Sequence, residues 1–82
     1  MKLEIITPEQ IVFSGEVELI SLPGTSGLFT MLEDHAPIVS SLKKGKLRYK
    51  TTKSEEVEIG IRGGFVEMNN NIASVCVEGI ET

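Results

Sequence analysis

"KLRYKTTKSEEVEIGI", residues 46–61, carries two runs with a period of two. In the first, Leu47 and Tyr49 alternate with Lys46, Arg48 and Lys50. In the second, Val57, Ile59 and Ile61 alternate with Glu56, Glu58 and Gly60. Successive side chains of a strand point to opposite faces, so each run predicts a strand with one face buried and one wet. "KSEE", residues 53–56, lies between them and reads as a hairpin tip.

The same period extends in both directions. "KLEII" sets Leu3 and Ile5 against Lys2 and Glu4, and "EVELISL" alternates Glu16, Val17, Glu18 and Leu19. "NIASVCV", residues 71–77, is more continuously apolar, which predicts a strand buried on both faces in the middle of a sandwich. Turn signals punctuate these runs: "TPEQ", "FSGE", "PGTSG" at 23–27, "KKGK", "RGG" at 62–64 and "MNNNI" at 68–72. The paired glycines suggest a bulge or a close backbone approach, and the asparagines suit a tight hairpin that needs positive φ. "PIVSSLKK" is the best helix candidate, but Val39, Ser40 and Ser41 are poor helix formers. Many short strands separated by turns predict an all-β sandwich or barrel.

The chain has 82 residues, which suits a single domain. Its net charge is -4, which argues against a nucleic-acid partner, yet six of its eight basic residues lie between Lys43 and Lys53. Such segregation suits a defined, salt-sensitive contact. The one cysteine, Cys76, sits in an apolar strand pattern and reads as a small buried hydrophobe, so a reducing compartment is expected. No apolar run has the length of a signal peptide or a membrane span. Any membrane association is therefore expected to come through partners.

"MLEDHAP", residues 31–37, holds the only histidine, His35, after Glu33 and Asp34. Histidine beside carboxylates raises proton transfer or metal binding. Neighbours along a strand point apart, so these three converge poorly on one ion. No nucleophile-elbow sequence completes a hydrolytic site, "PGTSG" is not followed by the Gly-Lys-Ser/Thr of a phosphate loop, and "KKGK" lacks the hydroxyl residue. No catalytic, metal-binding or cofactor-binding residue is expected. Lys46, Arg48 and Lys50 on one face offer a second reading, a free-standing interaction module that binds single-stranded nucleic acid. Tyr49 points away from them, which weakens that reading.

From end to end the order of these pieces resembles the epsilon subunit of F-type ATP synthases, the delta subunit of the mitochondrial enzyme. The resemblance is carried by "LEIITPEQIVFSGEVELISLPGTSGLFTMLEDHAPIVSSLKKGKLRY", with its Phe13-Ser14-Gly15, its His35-Ala36-Pro37 and its Leu42-to-Gly45 step. "IRGGFVEMNNNIASVCVEG" resembles the family's closing element. The resemblance implies a flattened antiparallel β-sandwich of about ten short strands. It also implies a non-catalytic central-stalk subunit, without cofactors and monomeric alone. Such a subunit binds the gamma subunit and the polar loops of the c-ring, and couples proton or sodium flow to ATP synthesis. It would sit peripherally at the cytoplasmic face of the inner (plasma) membrane. The family's C-terminal helices have no counterpart in these residues, so a naturally short form is expected.

The loop departs from the family pattern. The usual loop acid is replaced by Leu28, a usual glycine by Thr30, and a Pro-Gly pair by Glu33-Asp34. The resemblance makes Leu28, Phe29, Met31, Leu32, Glu33, Asp34 and His35 the candidate contact residues, with Glu33 and Asp34 supplying negative charge toward basic c-ring loops.

Overall fold

A computed structural model describes residues 1–81. These form nine strands and no helix: β1 (Lys2–Ile6), β2 (Ile11–Gly24), β3 (Gly27–Leu32), β4 (Ile38–Leu42), β5 (Gly45–Thr51), β6 (Glu56–Ile61), β7 (Gly64–Asn69), β8 (Ile72–Val77) and β9 (Ile80–Glu81). The two runs at 46–61 are β5 and β6, paired from Gly45↔Ile61 to Lys50↔Glu56. Thr51 accepts at its carbonyl from Ser54 and donates to the Glu55 carbonyl, which closes the tip at 52–55.

One long strand makes the sandwich. The first half of β2 pairs with β1 (Lys2↔Glu16 to Ile6↔Ile11). Its second half lies between β3 and β5, with Ile20 opposite both Met31 and Tyr49. A register shift between Val17 and Leu19 marks the crossing. One layer is therefore β2–β1–β8–β7–β4, and the other is β3–β2–β5–β6–β9. This corrects the expected turn at "FSGE": Gly15 lies inside the strand, which bends into the second layer just after it. A bulge turns the chain without breaking the ladder, so the glycine there marks a bend and not an end.

Alternation fills the space between the layers. Leu3, Ile5, Val17, Ile20, Leu22, Met31, Leu47, Ile61, Val66 and Val75 are all fully buried in one cluster. The expectation for "NIASVCV" is corrected. Strand β8 does lie mid-sheet, between β1 and β7, but it buries only Ala73, Val75 and Val77. Among the described residues no layer covers its outer face, so Ile72 is exposed there and Ser74 and Cys76 are partly so. The pairing of β8 with β1 is parallel, the one such pair among the described residues. Hairpin chemistry follows the sequence closely. Asn70 and Asn71 hold φ of 51° and 62° in a two-residue turn between β7 and β8, which asparagine tolerates better than most residues.

Tyr49 faces the core, with its ring centroid 4.4 Å from that of Phe13. Burial, followed by the charge of Glu55, pushes its phenol pKa above the ordinary value. An unfolded tyrosine ionises near pH ~10, so above that pH the folded chain holds the proton that the unfolded chain has lost. Stability is thus present below about pH 10 and declines as pH rises further. Urea midpoints measured across that range are expected to fall in the native chain and to stay flatter in Tyr49→Phe.

A candidate contact edge at β3 and its turn

Strand β3 is short, apolar and only half covered. Its alternation places Phe29 and Met31 toward the core and Leu28, Thr30 and Leu32 outward. Met31 is 0% exposed, whereas Leu28 and Leu32 are 73% and 57% exposed. This corrects the candidate list: Met31 is core and offers no surface to a partner, because it stands opposite Ile20 on the inner face of β2. Phe29 is half-buried and packs over Gly24. Leu28 and Leu32 are free apolar side chains, which sequence periodicity alone did not separate from the other two.

The turn after β3 is held by one bond of its own backbone and by one to the side chain of Asn71 in the β7–β8 turn. The His35 N–H donates to the Leu32 carbonyl at 3.2 Å, and the Asp34 N–H donates to Asn71 Oδ1 at 2.8 Å. Asp34 takes φ of 61°, a left-handed conformation in which glycine is the easiest residue and aspartate among the next. The three polar side chains diverge. Glu33 reaches the Met1 ammonium, Oε1 to N at 3.1 Å, while His35 Nδ1 donates to the Ala36 carbonyl at 2.7 Å. Asp34 is exposed. The arrangement gives a negative, half-structured turn beside two exposed leucines.

The basic strand keeps the faces that its alternation predicts. Lys46, Arg48 and Lys50 do line the outer face of β5, with Tyr49 on the inner face. Strand β5 is internal, however, between β2 and β6, so these residues do not guard an edge. Acids lie beside two of the three, while Lys46 stands opposite Gly60. Arg48 Nε is 2.6 Å from Glu58 Oε2, and Lys50 Nζ is 3.9 Å from Glu18 Oε2. Such exposed pairs contribute little stability, but they offset two of the three positive charges that nucleic acid would need.

A second apolar surface was missed in the sequence. Ile6, Pro8, Phe65 and Cys76 line a groove of about 520 Å³ on the outer face of the other layer. Phe65 is 51% exposed. The available signal was phase: in "FVEM", Phe65 shares its face with Glu67, while Val66 and Met68 are buried.

The comparisons agree with one another. The model of the beta-sandwich domain of the ATP synthase delta/epsilon chain matches residues 1–82. An ATP synthase epsilon chain of Chlorobium limicola is 40% identical over 79 residues, covering 96% of this chain and 90% of that one. The epsilon chain of Brevibacillus brevis is 33% identical over 81 residues, and here the match spans 61% of the relative's length. In fold, the chain is similar to one in the mitochondrial ATP synthase of Euglena gracilis, with a TM-score of 0.90 at 20% identity, covering 96% of this chain and 51% of that one. By the match of this domain model along residues 1–82 and by these relatives, the chain belongs to the delta/epsilon chain family of ATP synthases, through its β-sandwich domain.

Proposed function

We propose that the protein works as an epsilon subunit in the rotor of an F-type ATP synthase, joining the gamma subunit to the c-ring. The observation that carries this reading is the identity to the Chlorobium limicola epsilon chain along nearly the whole of both chains. The Euglena gracilis assembly, described as containing F1 and a c-ring in a rotational state, lends fold-level support. In this reading the role is that of a non-catalytic stalk subunit; Glu33 and His35 are engaged by the Met1 ammonium and the Ala36 carbonyl, and the Asp34 carboxylate is left exposed. On this reading the protein sits peripherally, at the cytoplasmic face of the inner (plasma) membrane, held there by its partners.

Within this reading, the contact is made by Leu28, Leu32 and Asp34, flanked by Phe29, Glu33 and His35. Leu28 and Leu32 supply exposed apolar area, and Asp34 supplies charge toward basic c-ring loops. Reversing both charges, Glu33→Lys with Asp34→Lys, is expected to reduce co-purification with the gamma–c-ring assembly severalfold at low salt, with the deficit shrinking at high salt. Because Glu33 also pairs with Met1, Asp34→Lys alone is the cleaner arm. Unchanged assembly in both variants at low salt would remove the turn from the contact. Loss of co-purification in the native chain would remove the rotor reading itself.

A further inference from the structure

The outer edge of β3 is unusual for a soluble domain. It pairs with β2 on one side, and no strand runs along its other side among the described residues. Its six residues, Gly27 to Leu32, contain no charge and no proline. Natural sheets guard open edges with lysine, proline, bulges or covering loops. The backbone is also correctly phased for pairing. The two-residue turn at Thr25 and Ser26 makes Gly24 and Gly27 a hydrogen-bonded pair, followed by Leu22 with Phe29 and Ile20 with Met31. The N–H and C=O groups of Leu28, Thr30 and Leu32 therefore point outward. Only the Leu32 carbonyl is engaged, by the His35 N–H.

The occupant is written in the side chains. The outward residues read Leu28, Thr30, Leu32, the same in either direction. We infer that this edge pairs with the β3 edge of a second copy, antiparallel about a two-fold axis at Thr30. In that register Thr30 meets Thr30, and Leu28 meets Leu32 of the second copy, so two leucine pairs flank a threonine pair. The outward backbone groups fall on the same three residues, so the hydrogen bonds and the side-chain matches share one register, with the Leu32 carbonyl taking the Leu28 N–H of the second copy beside the His35 N–H it already accepts. Charge agrees as well. Glu33 and Asp34 would lie opposite Gly27 and Ser26 of the second copy, and no carboxylate faces another.

Edges of six residues bury less than the ~1,200 Å² of a standard stable interface, so the dimer is weak, with a dissociation constant above about 1 µM. The chain is a monomer when dilute, as expected of the family, and pairs when concentrated. This pairing does not rest on the proposed rotor contact. If both occur, they exclude each other, because both cover Leu28 and Leu32.

The test uses the whole chain under reducing conditions, by sedimentation equilibrium from about 10 µM to about 1 mM, a window that brackets weak association. The native chain should pass from monomer to dimer, with slowed amide exchange at Leu28 and Thr30. Leu28→Lys with Leu32→Lys sets like charges opposite each other twice and should weaken pairing about tenfold or more. Both positions are exposed, so this variant should keep its melting temperature. Mixing it with Leu28→Glu/Leu32→Glu should restore a one-to-one pair, because the register sets each lysine against a glutamate. Four results would overturn the inference: a native chain monomeric throughout, a dimer indifferent to the lysines, a dimer lost instead on Phe65→Ser, or amide protection that appears only when gamma is added.

Discussion

Gly64→Ala is expected to leave little or no folded protein at 37 °C. Gly64 opens β7 with φ of 150°, which L side chains rarely adopt. Strain of that kind costs roughly 1–3 kcal/mol. The methyl would also overlap the Cys76 carbonyl oxygen and lie 2.8 Å from the Val77 Cα, both backbone atoms of the paired strand. Neither can swing aside as a flexible side chain would. Gly64 is paired with Val77 on one side and Leu42 on the other, so β4, β7 and β8 would all have to move. A domain of this size has about 4–12 kcal/mol in total, and a loss of roughly 3 kcal/mol or more consumes much of it. Gly27→Ala is the comparison that isolates the cause. Its φ is 135°, but nothing lies within 4 Å of the added methyl, so it bears strain without overlap. Thermal melts of the two variants should differ widely, with Gly27→Ala remaining folded. Equal losses would mean that strain alone matters at Gly64.

The second large effect is Ile20→Ala. Ile20 is completely buried where β2 has passed into the second layer, opposite Met31 on β3 and Tyr49 on β5. Truncating such a side chain costs about 2–5 kcal/mol, part of it lost burial and part the cavity left behind. For a chain this short, that corresponds to a fall in Tm of about 10–25 °C. The position has a second consequence. Ile20 ties the outer strand β3 to the core, so β3 and the turn at residues 33–37 should gain hydrogen exchange before β1, β7 and β8 do. Uniform exchange throughout the sandwich would place the energetic centre elsewhere.

Much of this architecture was legible in the residues because its signals are local. The runs at 46–61 became β5 and β6 because alternation alone separates a wet face from a dry one. The asparagines at 70 and 71 and the glycines at 63 and 64 all take positive φ, for reasons that belong to each residue's own backbone. The resemblance to ATP synthase epsilon chains rested on the order of such local pieces, and the family match covers residues 1–82.

The errors had one common source. "FSGE" looked like a turn because a glycine usually ends a strand, but β1 on one side and β3 with β5 on the other keep β2 continuous through it. "NIASVCV" looked buried on both faces because its spare apolar residues, Ile72 and Cys76, are partly exposed on an outer surface. The candidate list joined Met31 to Leu28 and Leu32, although the pleat sends them to opposite faces.

Strand identity, the inner and outer faces and the tight turns follow from the amino-acid order, since each depends on a residue and its immediate neighbours. Pairing between distant segments settled the rest. It placed β5 inside the sheet with Arg48 and Lys50 against Glu58 and Glu18, and among the described residues it left β3 with one side unpaired. An edge is defined by the absence of a neighbour in space, and no local pattern along the chain records which strand will lack one.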